Sequence, residues 1–120
     1  MGQLENLWAY TKAFELAMEI FEISRKFPKE EKYSLTDQVR RSSRSVCANL
    51  GEAYRRRKYR PHFLSKLADA DAENTETGVW LEFALACQYL TKDERHGLIA
   101  KKQEVGKLIG DIINNPAKYL

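Results

Sequence analysis

The sequence predicts an all-α protein, folded over residues 1–120 as one antiparallel up-down-up-down four-helix bundle. Three observations carry that prediction. Apolar residues recur at three- and four-residue spacing in four successive segments. Proline or a polar capping signal separates each segment from the next. No stretch shows the strict alternation of a half-buried strand. A chain of 120 residues can bury one core, and no internal repeat or low-complexity tract marks a second domain.

The first segment sets Leu7, Phe14, Ala17, Ile20, Phe21, Ser24 and Phe27 inward, with Lys12, Glu15, Glu19, Glu22 and Lys26 facing away. Pro28 ends it, because proline cannot extend a helix and disfavours α geometry at Phe27. The second starts at Ser34 or Thr36, where Ser34 and Asp37 have the spacing of a capping box. It runs through Leu35, Val39, Val46, Leu50 and Ala53 to about Arg57. Pro61 suits the first turn of the third helix, which carries Phe63, Leu64, Leu67, Ala70, Thr77, Leu81 and Ala84 inward and continues to Leu90. Thr91 and Glu94 form a second capping box and open the fourth helix. Its stripe is Leu98, Ile99, Val105, Ile109, Ile112 and Ile113, and Asn115-Pro116 closes it. Gly106 and Gly110 lie four apart within it, marking either a gap in the core or a close contact between subunits.

No apolar run approaches the roughly 20 residues that cross a bilayer, and the first residues lack the form of a signal peptide. A cytoplasmic protein with no membrane contact is expected. Cys47 and Cys87 are not a disulfide framework. On antiparallel helices turning near residue 60 they stand roughly 18 Å apart, and both are expected as small core residues.

Charge is distributed unevenly. From Lys32 to Lys66 ten basic residues face only Asp37 and Glu52, a local excess of +8, while the remainder carries −5. The densest part is Arg55-Arg56-Arg57-Lys58-Tyr59-Arg60, with His62 beside it. Some of this cluster complements the negative end of a helix dipole, and a solvated corner would need no more. Arginine predominance also suits bidentate phosphate contacts, and Tyr54 and Tyr59 are available for stacking on RNA bases. The candidate nucleic-acid residues are Arg40, Arg44, Arg55, Arg56, Arg57, Lys58, Arg60 and Lys66.

The third helix has the opposite bias. Asp69, Glu73 and Glu76 share one face, but the Glu-x-x-His partners of a bundle metal site are absent, so neither metal nor cofactor is expected. The second helix carries a polar stripe of Gln38, Arg41, Ser45, Asn49 and Glu52. The expected hairpin sets Ser45 opposite Glu76 and Asn49 opposite Glu73, predicting a partly buried network that fixes register or a subunit interface. His62 and His96 have no nucleophile arrangement near them, and no glycine-rich phosphate loop is present. The chain is not expected to be an enzyme.

The stretch from Phe27-Pro28-Lys29 through Leu35-Thr36-Asp37-Gln38-Val39-Arg40-Arg41-Ser42 resembles the start of helix 2 in the 23S rRNA intervening-sequence proteins. Ser45, Asn49 and Glu52, followed by Tyr54-Arg55, are similar to that family's Ser-x-x-x-Asn-x-x-Glu signature and basic exit. The likeness extends from Leu7-Trp8 through Trp80-Leu81 and Tyr89-Leu90 to Asn115-Pro116. Ala53 and Ala70-Asp71 depart from it, standing where a Gly and a Gly-Ser are usual. The resemblance implies a four-helix bundle assembled as a homopentameric ring. It also implies kinship with the accessory variability proteins of diversity-generating retroelements, basic pentamers that bind nucleic acid and a reverse transcriptase. The expected function is a non-enzymatic oligomeric module contacting RNA or a nucleoprotein. The alternative is a scaffold docking an acidic protein partner such as a reverse transcriptase, and a minor third reading is a small-molecule or metal bundle on Glu73 and Glu76.

Overall fold

Four helices follow in the order that the periodicity predicts. The computed structural model describes residues 7–120 and contains α1 (Trp8–Ile23), α2 (Leu35–Arg55), α3 (Arg60–Ala86) and α4 (Lys92–Asn114). Short 3-10 turns occupy Ser24–Lys26, Lys29–Glu31 and Pro116–Tyr119, and no strand occurs among the described residues. Each helix packs against the two beside it, α1 on α2 and α4, and α3 on α2 and α4. The molecule measures 44 × 25 × 20 Å. At 1.5 Å per residue, the 27 residues of α3 span about 40 Å of the long axis. No helix among the described residues is long and apolar enough to cross a membrane.

The core is built as the apolar stripes require. Ile20, Val39, Leu50, Leu67, Leu81, Val105, Ile109 and Ile112 are almost wholly enclosed. Phe14, expected inward, is 51% exposed. The inward face of α1 is taken by Ala9, Ala13, Leu16, Ala17 and Ile20, and its three alanines let the neighbouring helices approach. Cys87, also expected in the core, is exposed, while Cys47 is half-buried; both are free thiols. Burial pushes the Cys47 thiol up to about 11.

Helix ends show where local chemistry overrode the expected boundaries. α1 tightens into a 3-10 turn at Ser24 before reaching Pro28, with Ser24 Oγ donating to Phe21 O at 3.1 Å. The Ser34–Asp37 capping box does not form. Ser34 instead donates to Glu31 Oε1 at 2.6 Å, and that oxygen also accepts the Leu35 N–H at 3.3 Å. A carboxylate reaching across from the preceding turn thus does the capping. α3 stops at Ala86, well short of Leu90, because Gln88 enters the left-handed region at φ 64°. Tyr89 N then donates to Ala84 O at 2.9 Å, closing the helix end. The Thr91–Glu94 box forms as expected, with both reciprocal bonds present.

Gly106 marks a close helix approach. A Cβ there would lie 3.3 Å from Asn74 Nδ2. That amide is buried and donates to Lys102 O at 3.0 Å, so it has little freedom to withdraw. At Gly110 a Cβ would meet nothing within 4 Å. Gly110→Ala is therefore expected to raise the unfolding free energy by roughly 1 kcal/mol through helix propensity, and Gly106→Ala to lower it. Urea midpoints that move the same way for both variants contradict this account.

Three carboxylates tie loops to helices and sit below the ordinary range. Glu31 is held down by the Ser34 hydroxyl, then by the Tyr89 hydroxyl and the Leu35 N–H. Lys26, 2.5 Å away, does the same for Glu94, and Tyr119 and then Lys118 for Asp111. Their depressed folded-state values mean that the stabilisation is present above the unfolded value of about 4 and is lost as pH falls through the folded value. Tyr89, raised to about 12 by its bond to Glu31, contributes below its unfolded value and loses that contribution as pH rises through about 12. Melting temperature should stay level from pH 7 to about 5 and fall below about pH 4. Glu31→Gln should shallow that acid slope; an unchanged slope contradicts the assignment.

Candidate nucleic-acid interface

The basic run wraps the α2–α3 turn. Arg56 caps α2, its N–H shared between Ala53 O at 3.0 Å and Glu52 O at 3.2 Å, and Tyr59 N donates to Arg56 O at 3.0 Å. Tyr59 is extended, at φ −119° and ψ 95°, and its carbonyl accepts from Phe63 N to start α3, with Pro61 in the first turn as expected. Cations at this end of α2 lie against its exposed carbonyls, where the dipole favours them.

The eight candidate cations divide by what already holds them. Arg40 is half-buried and engaged elsewhere. Its Nε donates to Ser24 Oγ at 2.8 Å, its Nη2 to Phe21 O at 3.4 Å, and its guanidinium lies 4.9 Å from the Phe21 ring centroid. It locks α2 to the end of α1. Arg44, exposed one turn further on, lies 5.7 Å from the same ring. Lys66 pairs with Glu52 at 2.7 Å, which raises the lysine and lowers the carboxyl. Arg57 donates through Nε to Tyr54 O at 2.9 Å and stacks 3.9 Å from the Tyr54 centroid. By contrast, Arg55, Arg56, Lys58 and Arg60 are exposed, and none makes an ion pair within 4 Å among the described residues, although Arg56 is close enough to Glu52 to help lower its carboxyl.

Two concavities meet at Arg55. One cleft of about 670 Å³ is lined by Tyr54, Arg55, Arg57, Lys58 and Leu120. A trough of about 540 Å³ is lined by Ala48, Gly51, Glu52, Arg55 and Arg56. Arg44, Ala48, Gly51 and Arg55 share one face of α2 by spacing, so small residues floor the space between two arginines.

The polar stripe differs from the expected network. Asn49 Nδ2 folds back onto its own helix, donating to Ser45 O at 2.9 Å and to Ser45 Oγ at 3.2 Å. Gln38, Arg41, Glu73 and Glu76 make no side-chain bond or ion pair within the described chain, and Arg41 is exposed. The buried polar crossing is instead Thr77 Oγ1 to Ser42 Oγ, at 2.9 Å. Ser42 facing Thr77 and Glu52 facing Lys66 give a register shifted from the pairing of Ser45 with Glu76. The cause is the earlier end of α2, at Arg55 rather than Arg57.

Phe21 was expected only as an inward-facing residue of the first helix, and Arg25 carried no expectation. Arg25, Arg40 and Arg44 all gather on the Phe21 ring, Arg25 at 4.9 Å. The phenylalanine four residues before an arginine was the available signal. Among the described residues no group of three or more His, Cys, Asp or Glu side chains is placed to hold a metal.

An all-α bundle with unpaired cations at one hairpin defines a class of small helical-bundle proteins. Within that class, the chain belongs to the 23S rRNA-intervening sequence protein family, whose family model matches residues 5–111. It is also similar to a solved protein of unknown function from the S23 ribosomal protein family of Bacteroides thetaiotaomicron. The two are 29% identical, with a TM-score of 0.83 over 94% of this chain and 100% of the other. No curated protein matches the chain.

Proposed function

We propose that the chain is a non-enzymatic, self-associating module that binds RNA, or a nucleoprotein, through the α2–α3 hairpin. The observation that carries this reading is the set of Arg55, Arg56, Lys58 and Arg60, exposed together with no close ion pair among the described residues. Unpaired cations on a turn concentrate positive potential where a phosphate backbone can reach it. Family membership and the printed ribosomal naming of the similar structure are in keeping with RNA.

Self-association is supported by the outer α2–α3 face. Phe83 and Val79 are exposed there, as is Tyr33 nearby. The unpaired Gln38, Arg41, Glu73 and Glu76 belong to the same two helices. A second copy covering this face would supply partners for both kinds of group, and the homopentamer implied by the family resemblance is the assembly we assign. Assembly would multiply the basic hairpin around the ring.

Filter binding to a structured RNA over a range of salt tests the reading, with sedimentation run on the same sample. Log affinity should fall with log salt, by roughly 0.7 for each phosphate contacted on a single strand. Affinity that stays flat with salt overturns it. A single acidic protein recovered by a chain that ignores RNA would favour the scaffold alternative.

A further inference from the structure

We propose that the 3-10 turn after α4 is an inhibitory strap: Pro116–Leu120 folds back against the end of α2, covers the Tyr54–Arg57 side of the basic hairpin and withholds it from RNA. The inference rests on the reading that the hairpin binds nucleic acid, and it adds a contact within the chain that limits this binding. The pattern of exposure singles out two residues. Arg55, Arg56, Lys58, Tyr59 and Arg60 are exposed, whereas Tyr54 is buried and Arg57 half-buried. Of that run, Tyr54 and Arg57 are the two that line a narrow gap with Tyr119. Leu120 in turn lines the cleft of about 670 Å³ together with Tyr54, Arg55, Arg57 and Lys58. The covered pair is itself ordered, with Arg57 Nε donating to Tyr54 O at 2.9 Å and the guanidinium 3.9 Å from the ring centroid. Tyrosine rings and guanidinium planes are the surfaces on which RNA bases stack, and here both lie against the strap.

One carboxylate anchors the strap. Asp111, in the last turn of α4, accepts from the Tyr119 hydroxyl, from Lys118 Nζ at 3.1 Å and from Asn115 Nδ2 at 3.0 Å. The half-buried Tyr119 ring also packs against the core. The remaining attachments are weak. The turn is a 3-10 helix of four residues, a form with poor hydrogen-bond geometry that persists only in short pieces. Lys118 and Asp111 pair at the surface, where ion pairs contribute little, and Leu120 is 51% exposed. A segment held by one carboxylate and one ring opens at far lower cost than the bundle unfolds. Strap and RNA then compete for the same end of α2, and apparent affinity scales with the fraction of chains in which the strap is open.

The test pairs RNA binding with chemical mapping of arginines on the full chain, on Tyr119→Ala and on a variant lacking residues 116–120. Tyr119→Ala removes the bond to Asp111 and the packed ring without changing net charge. Filter binding to a structured RNA at fixed salt should be about tenfold tighter in both variants, as follows if the strap is open in roughly a tenth of wild-type chains. The deletion also removes the Lys118 cation, so loss of that charge works against the expected gain. Brief phenylglyoxal treatment followed by peptide mass spectrometry should modify Arg55, Arg56 and Arg60 alike in every chain, and Arg57 several-fold faster in the variants. Tyr119→Phe loses only the hydroxyl bond, should fall between wild type and Tyr119→Ala in both measurements, and carries the test if the larger changes unfold the chain. Affinity no higher in the folded variants than in wild type overturns the strap and leaves the hairpin reading standing. RNA binding absent from every chain removes the hairpin reading; the covering contact then stands if Arg57 reactivity rises in the variants and falls if it does not.

Discussion

Leu81→Ala should lower the unfolding free energy by about 2–5 kcal/mol, the range for deleting a fully enclosed leucine side chain. Leu81 is 0% exposed, in the core cluster that joins all four helices. The loss has two parts, the transfer energy of the removed carbons and the cavity left where neighbours cannot collapse. Rigid surroundings raise the second part. The Thr77–Ser42 bond, one helical turn away, holds α3 to α2 and resists such a collapse. Against a total stability of about 5–15 kcal/mol for a domain of this size, the change is a large fraction. Thr75→Ala, exposed on the same helix and bonded only to Asp71 O, should stay within about 0.5 kcal/mol. Urea denaturation decides it; a Leu81→Ala effect as small as that of Thr75→Ala contradicts the assigned core.

The fold was legible because its cause is periodic. Leu35, Val39, Val46, Leu50 and Ala53 are all buried, as the stripe on α2 required. What was not legible depends on single local bonds or on distant partners. The end of α3 is set by Gln88 in a left-handed conformation, which no glycine announced. The start of α2 is capped by Glu31, outside the expected box. The α2–α3 register depended on where the chain turns, and a small slip moved the buried polar pair to Ser42 and Thr77. The candidate interface was legible as a charge excess, but not as a division between engaged and unpaired cations. Arg40 and Arg44 looked equivalent at i and i+4, yet Arg40 is spent on Ser24, sixteen residues earlier. Family membership, by contrast, rested on side-chain identities spread over most of the chain, and it is matched over residues 5–111.

That division between cations leads to the second large effect. Arg55→Glu combined with Arg56→Glu should lower RNA affinity by roughly 100-fold near 0.1 M salt, taking two charge-assisted contacts at about 1.5 kcal/mol each. Repulsion by the new carboxylates adds to this loss. The slope of log affinity against log salt should also fall, by about one for each cation removed. Stability should change little, because both side chains are exposed and neither makes a close ion pair among the described residues, Arg56 acting on Glu52 only at longer range. Arg40→Gln should show the opposite pattern. It breaks the bond to Ser24 and the contact with Phe21, so the melting temperature drops while RNA affinity of the folded chain stays within about threefold. Affinity lost equally in both variants would mean that the phosphate surface extends along α2 to the end of α1. Affinity kept in both would remove the hairpin from RNA binding altogether.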